Sequence, residues 1–202
     1  MKPREFEQFE GVVQTLLDDV SASDKLCADF PNDFTRRTYV KTCITYLEGH
    51  LYAFKQVILV FERILCTSPS LPRATEQHTV LFTAAERAQL EEVSYPITDG
   101  KAGESRYRAR FRDSLKFAVN AFHKAIRLQS DVKYEGKGWE SLCEARKIRD
   151  RLTHPKSLKD LTLTDDEIKK VGAAVEWYEN TTDHMLDRLY TKSKFSDRFE
   201  KS

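Results

Sequence analysis

The sequence predicts an all-α protein: an antiparallel helical bundle with short additional helices and a long inter-helix loop region. Three observations predict it. Glycine and proline number only 7 and 6 among 202 residues. Glycine alone usually makes up roughly 7% of a chain, and sandwiches and barrels need many tight turns. Apolar residues recur at steps of three and four over long stretches. The 12 Phe, 8 Tyr and 2 Trp are too much aromatic surface for a disordered chain to leave wet. The length fits a single domain over 1–202, large enough to bury a core without staples.

The elements follow in order. Segment 4–20 places Phe6, Phe9, Val13, Leu16, Leu17 and Val20 on one helical face. Pro31 and Asn32 break the chain. A long helix is expected from about Asp33 to Cys66, with Val40, Ile44, Leu47, Leu51, Phe54, Ile58, Phe61 and Leu65 inward. Gly49 in its middle costs about 1 kcal/mol relative to Ala and marks a close helix approach. Residues 67–78 form a loop, because Pro69 and Pro72 preclude a regular helix. Val80–Phe82 suits a short extended piece. Thr83 with Glu86 makes a capping box that opens a short helix to about Val93. A second loop, 94–104, completes an insertion over 67–104 to which the sequence assigns no role.

A helix is expected from about Ser105 to Leu128, with Phe111, Leu115, Ala118, Phe122 and Ile126 inward. Segment 131–138 carries two glycines and reads as a connection. The next helix starts near Trp139 and must end near His154, because Pro155 disfavours the helical conformation in the residue before it. Thr164 and Glu167 cap the last helix, which repeats Ile168, Val171, Val175, Tyr178, Thr182, Met185 and Leu189. The charged tail 191–202 is expected to fray.

Lys and Arg total 33 against 32 Asp and Glu, which excludes a polybasic binder of the histone kind but leaves room for a local patch. Cys27, Cys43, Cys66 and Cys143 have neither C-x-x-C nor zinc-site spacing, so reduced, mostly buried thiols of a cytosolic protein are expected. The N-terminus has no apolar secretory core. The longest strongly apolar run, Val57–Phe61, is far short of the ~18 residues of a membrane span. No dinucleotide, P-loop or nucleophile-elbow motif is present. No cofactor, metal or membrane partner is expected, and the location is read as cytoplasmic.

The stretch from Lys147 to Lys156, KIRDRLTHPK, carries Arg149 and His154 five residues apart, with the polar Asp150 after the arginine and Pro155 after the histidine. Arg73 and His78 share the spacing, but in a proline-containing loop where nothing fixes them together. The first pair, closing an amphipathic helix in an all-α chain, resembles the signature of the HEPN superfamily, an arginine and a polar residue followed by a histidine. The resemblance covers the bundle layout from about 33 to 190, and its sharp part is about six residues. It implies a metal-independent endoribonuclease, in a homodimer whose motif-bearing helices pack together so that two motifs face one cleft. Many active members are toxins or antiviral-defence proteins, which would bring an antitoxin or defence partner. Other members bind RNA or nucleotides without cleaving, or only assemble.

The chemistry suits these residue types. RNA supplies its own nucleophile, the 2′-hydroxyl. Histidine moves protons near neutrality, and a planar guanidinium stabilises charge on phosphate oxygens. His154 is then the general acid and base, Arg149 the phosphate clamp, and Asp150 an orienting carboxylate. Five helical residues subtend about 140°, so the pair shares no face of a regular helix, and a two-chain site removes that difficulty. Glu48, in the long helix, needs a charged partner if it lies in a bundle interior, and Arg149 is the candidate. Arg106, Arg108, Arg110 and Arg112, with Tyr107 and Phe111 interleaved, form two helical stripes that phosphate or acidic neighbours could compensate. Arg146 and Arg151 join them as RNA-contact candidates, with Arg36 and Arg37 weaker. His50, His123 and His184 read as structural. A non-catalytic module remains open beside the nuclease, and the balanced charge favours it.

Overall fold

The computed structural model describes residues 4–67, 81–92 and 110–199. Among these residues there are six helices: α1 (Arg4–Asp29), α2 (Asp33–Thr67), α3 (Ala84–Leu90), α4 (Phe111–Ala125), α5 (Gly136–Thr153) and α6 (Asp165–Phe199). A 3-10 turn, Leu158–Leu161, lies between α5 and α6. The described residues contain no strand, so the class is all-α, as the sequence predicts. Among them no helix is long and apolar enough to cross a membrane. Residues 68–80, with Arg73 and His78, and residues 93–109, with Arg106 and Arg108, lie outside the described residues.

Four boundaries differ from the periodicity. Helix α1 continues past Val20 to Asp29, since no breaker occurs before Pro31. Helix α4 begins at Phe111 rather than Ser105, α5 begins at Gly136, and α6 stays helical through Phe199 instead of fraying from 191. The 3-10 turn was not legible as an element. It forms because Asp160 Oδ2 accepts the Lys156 and Ser157 amides at 2.8 and 2.9 Å. The break between α1 and α2 is closed locally. Asn32 Oδ1 accepts the Phe34 and Thr35 amides at 2.9 and 3.2 Å, and Thr35 Oγ1 donates to the Phe30 carbonyl at 2.7 Å.

The chain divides into two compact units, Met1–Val12 with His50–Ser130, and Val13–Gly49 with Asp131–Ser202. In the second unit α5 runs antiparallel to both α2 and α6. Arg37 near the start of α2 donates to the Leu161 carbonyl beyond the end of α5, while Glu48 meets Arg146. Trp139 at the start of α5 meets Trp177 edge to face at 5.4 Å, and Arg151 at its end pairs with Glu167 at 2.7 Å. Val40, Cys43, Leu47, Val171, Tyr178 and Met185 fill this core. Burial pushes the Cys43 thiol up to about 12, so it stays protonated and inert. Cys27 and Cys143 are also free.

Two glycines mark close packing here. At Gly49 an added Cβ would meet Leu16 Cδ1 at 2.5 Å, the approach the mid-helix glycine implied. That atom ends a flexible side chain, and alanine adds about 1 kcal/mol of helix propensity. At Gly138 the added Cβ would lie 2.3 Å from Trp177 Cδ1, beside the edge-to-face contact of Trp139 with Trp177. Chemical denaturation should therefore find Gly49→Ala within about 1 kcal/mol of wild type and Gly138→Ala destabilised by about 1–3 kcal/mol.

In the other unit α3 lies antiparallel to the second half of α2. Phe82 and Leu90 are fully buried, and the capping box of Thr83 and Glu86 forms in both directions. Lys55 and Glu62, both buried on α2, receive Glu92 at 2.7 Å and Arg87 at 2.9 Å. On α4 Phe122 packs on Phe54 at 5.3 Å, and His123 is buried with Nδ1 2.8 Å from the Val119 carbonyl.

His50 begins this unit's part of α2, and burial lowers its pKa to about 4 from an ordinary 6.5. Between those values the unfolded chain binds a proton that the folded chain excludes. Stability is thus complete above about pH 6.5 and falls toward pH 4, by up to about 3 kcal/mol. His50→Gln should flatten that part of a pH–stability profile; an unchanged slope assigns the titration elsewhere.

Candidate functional site

Helix α5 carries the candidate chemistry. Arg146, Arg149 and Asp150 stand at i, i+3 and i+4, one face of the helix. That face meets Glu48 of α2. Glu48 Oε1 lies 3.1 Å from an Arg146 nitrogen and 3.2 Å from an Arg149 nitrogen. Asp150 Oδ1 lies 3.0 Å from the other terminal nitrogen of Arg149 and 3.6 Å from Arg146 Nε. Two guanidinium groups and two carboxylates thus form a closed, electrically balanced square. Its side chains remain open to solvent, at 30% for Arg149 and 55% for Asp150. Each exposed pair contributes little stability, at most about 1 kcal/mol. Their joint effect is to hold the Arg149 plane in one orientation.

The helix ends where Pro155 dictates. His154 is the C-cap residue at φ −126° and ψ 60°, its amide still bonded to the Asp150 carbonyl at 3.0 Å. Its side chain is exposed, and no hydrogen bond or ion pair among the described residues joins it to Arg149 or Asp150. Within one chain the guanidinium and the imidazole are therefore not brought into contact.

The remaining candidates divide. Arg151 faces the other way, with one nitrogen 2.7 Å from Glu167 and another donating to the Thr162 carbonyl at 3.3 Å. Glu167 also caps α6 through Thr164, so Arg151 ties α5 to the start of α6. Arg36 pairs with Asp165 and donates to the Leu163 carbonyl at 2.8 Å. Arg110 precedes α4 in a non-helical conformation, at φ −58° and ψ 142°, and Arg106, its expected stripe partner, lies outside the described residues. Cations at a helix start oppose its dipole, and α4 begins only after Arg110, with Asp113 in its first turn. Arg112 is 52% exposed and 3.9 Å from Asp113.

One constellation escaped the sequence reading. Asp131 Oδ2 lies 3.1 Å from His184 Nε2, and its Oδ1 lies 2.5 Å from an Arg188 nitrogen. The His184 hydrogen bond, with the Arg188 charge, holds the Asp131 carboxyl below the usual carboxylate range. The spacing of His184 and Arg188, one helical turn, was the available signal; their shared partner Asp131, 53 and 57 residues away, was not. The contacts anchor the α4–α5 connection to α6.

Among the described residues no group of three or more His, Cys, Asp or Glu is placed to hold a metal ion. Compared with protein-family models, curated proteins and solved structures, the chain matches none of them.

Proposed function

We propose that the chain is a metal-independent endoribonuclease of HEPN type, acting as a homodimer in which His154 of one copy serves a phosphate clamped by Arg149. The observation that carries this reading is the state of the motif. Arg149 is held in place by Glu48 and Asp150 yet remains open to solvent, and His154 stands exposed just past the end of the same helix. In the reaction a base takes the proton of the 2′-hydroxyl, whose oxygen bonds to phosphorus as the bond to the 5′-oxygen breaks. An acid returns a proton to that leaving oxygen. Histidine performs both transfers, and the guanidinium stabilises charge on the non-bridging oxygens. Glu48 positions Arg149, while Arg110, Arg112 and Arg146 are RNA contacts. Arg151, held by Glu167, serves the fold. A toxin or antiviral-defence role, with an antitoxin or similar regulator, belongs to the same reading.

Single-stranded RNA incubated with the full chain in EDTA tests it. The expected products carry 2′,3′-cyclic phosphate and 5′-hydroxyl ends; RNA left whole overturns the reading. A second reading, a non-catalytic interaction module, is favoured by one feature: Glu48 and Asp150 already balance Arg146 and Arg149. It expects RNA to stay intact while Glu48→Ala weakens only the fold.

A further inference from the structure

On the second half of α2, Lys55, Ile58 and Glu62 stand at i, i+3 and i+7, one face of the helix. All three are buried, Lys55 and Glu62 at 3% exposure and Ile58 completely. Two full charges on a covered face are unusual, because each must find a partner when it leaves water. Both partners come from residues 81–92. Glu92 pairs with Lys55 at 2.7 Å, and Arg87 pairs with Glu62 at 2.9 Å. Glu62 also accepts the Phe82 amide at 3.3 Å, and Gln56 Nε2 donates to the Leu90 carbonyl at 3.3 Å. On α4, Lys124 donates to both oxygens of Glu86 at 2.9 Å and lies 5.3 Å from the Phe82 ring centre. Phe82 and Leu90 are the apolar anchors, both fully buried.

Helix α3 depends on these contacts. It has seven residues, short of the ~12–15 below which isolated helices barely form. Glu92 follows its C-cap at φ 51°, the left-handed conformation that glycine usually fills. Its carboxylate is therefore held over Lys55 against a backbone preference. The charges also change what uncovering costs. An apolar face laid open would leave hydrocarbon in water. Lys55 and Glu62 laid open recover their hydration, and Glu92 and Arg87 are already 41% and 44% exposed when paired. The open form is thus nearer in free energy to the closed one than apolar residues would allow, while the two pairs fix a single register on closing.

We propose that residues 81–92 are a strap that lifts from α2 while α2 and α4 stay folded, with the Glu92–Lys55 pair as its latch. Lifting uncovers an amine and a carboxylate two helical turns apart, with Ile58 between them. The strap is independent of the ribonuclease reading, and neither needs the other.

Hydrogen exchange of the full chain, together with acetylation of its lysines by an amine-reactive ester, tests the proposal. The Arg87 and Glu91 amides bond to the Thr83 and Arg87 carbonyls. They should exchange through an opening that low urea does not promote and that costs less than the openings of α2 and α4. Lys55 should be acetylated at the rate set by that same opening, well below exposed Lys41. Glu92→Gln keeps the shape and removes the charge. It should speed Lys55 acetylation about tenfold, with Lys41 and the α4 amides unchanged. Glu92 is half-exposed, so this change leaves the core intact, and circular dichroism confirms folding. Lys55→Met should slow α3 exchange, because its open form exposes hydrocarbon where wild type exposes an ammonium. Three results overturn the proposal: α3 exchange only at the cost of opening α2 and α4, Lys55 acetylation unmoved by Glu92→Gln, or faster α3 exchange in a folded Lys55→Met.

Discussion

His154→Ala is expected to reduce RNA cleavage in EDTA by about 10²–10⁴-fold, the usual contribution of a positioned proton-transfer group. The side chain is exposed beyond the end of α5 and has no partner on Arg149 or Asp150, so its removal leaves the charged square and the core intact. Arg149→Ala should lose activity on the same scale, since a single preorganised donor to a developing oxyanion is worth about 10²–10³. Arg149→Lys should not recover it, because an ammonium cannot reproduce the planar two-pronged contact. Glu48→Gln should have a smaller effect. It keeps the shape at the Arg149 contact but removes one of two balancing charges, so cleavage falls while folding stays within about 1 kcal/mol. Full activity in His154→Ala rules out the assigned chemistry.

Arg87→Ala is expected to cost about 3 kcal/mol of stability, the largest loss predicted for any single charged residue here. Its partner Glu62 is only 3% exposed and otherwise accepts the Phe82 amide at 3.3 Å. Removing the guanidinium leaves a carboxylate in the interior with one neutral donor. Replacing the buried acid as well, in Arg87→Ala with Glu62→Leu, should recover most of that loss, since apolar residues of similar volume substitute well for buried ion pairs. Urea denaturation of the single and double variants measures both effects. Equal stability of the two would mean that the Glu62 charge reaches water in the folded protein.

Much of the architecture was legible because helix formation is local. The three-four pattern of α2 and α6 corresponds to Val40, Leu47, Ile58, Val171, Tyr178 and Met185 in the core. The stop at Pro155 and the capping boxes at Thr83 and Thr164 rest on residues at most three apart. The misplaced start of α4 has an electrostatic reason: apolar spacing alone ran through Arg106–Arg112, while the helix dipole disfavours cations at that end. The 3-10 turn was missed because one aspartate, Asp160, builds it without any periodic signal.

The sequence by itself determined that this chain is helical, where α2, α5 and α6 bury their apolar faces, and that Arg149, Asp150 and His154 sit at the end of α5. Only the tertiary structure decided the company each keeps. Glu48 stands about a hundred residues from Arg146 and Arg149, and Glu62 finds Arg87 25 residues away. Tertiary structure also laid Glu92 over Lys55, 37 residues away. Backbone hydrogen bonds and apolar periodicity act over a few residues and leave their mark in sequence. Charge pairing acts over a few ångströms, and which charges come that close is settled only when the helices pack.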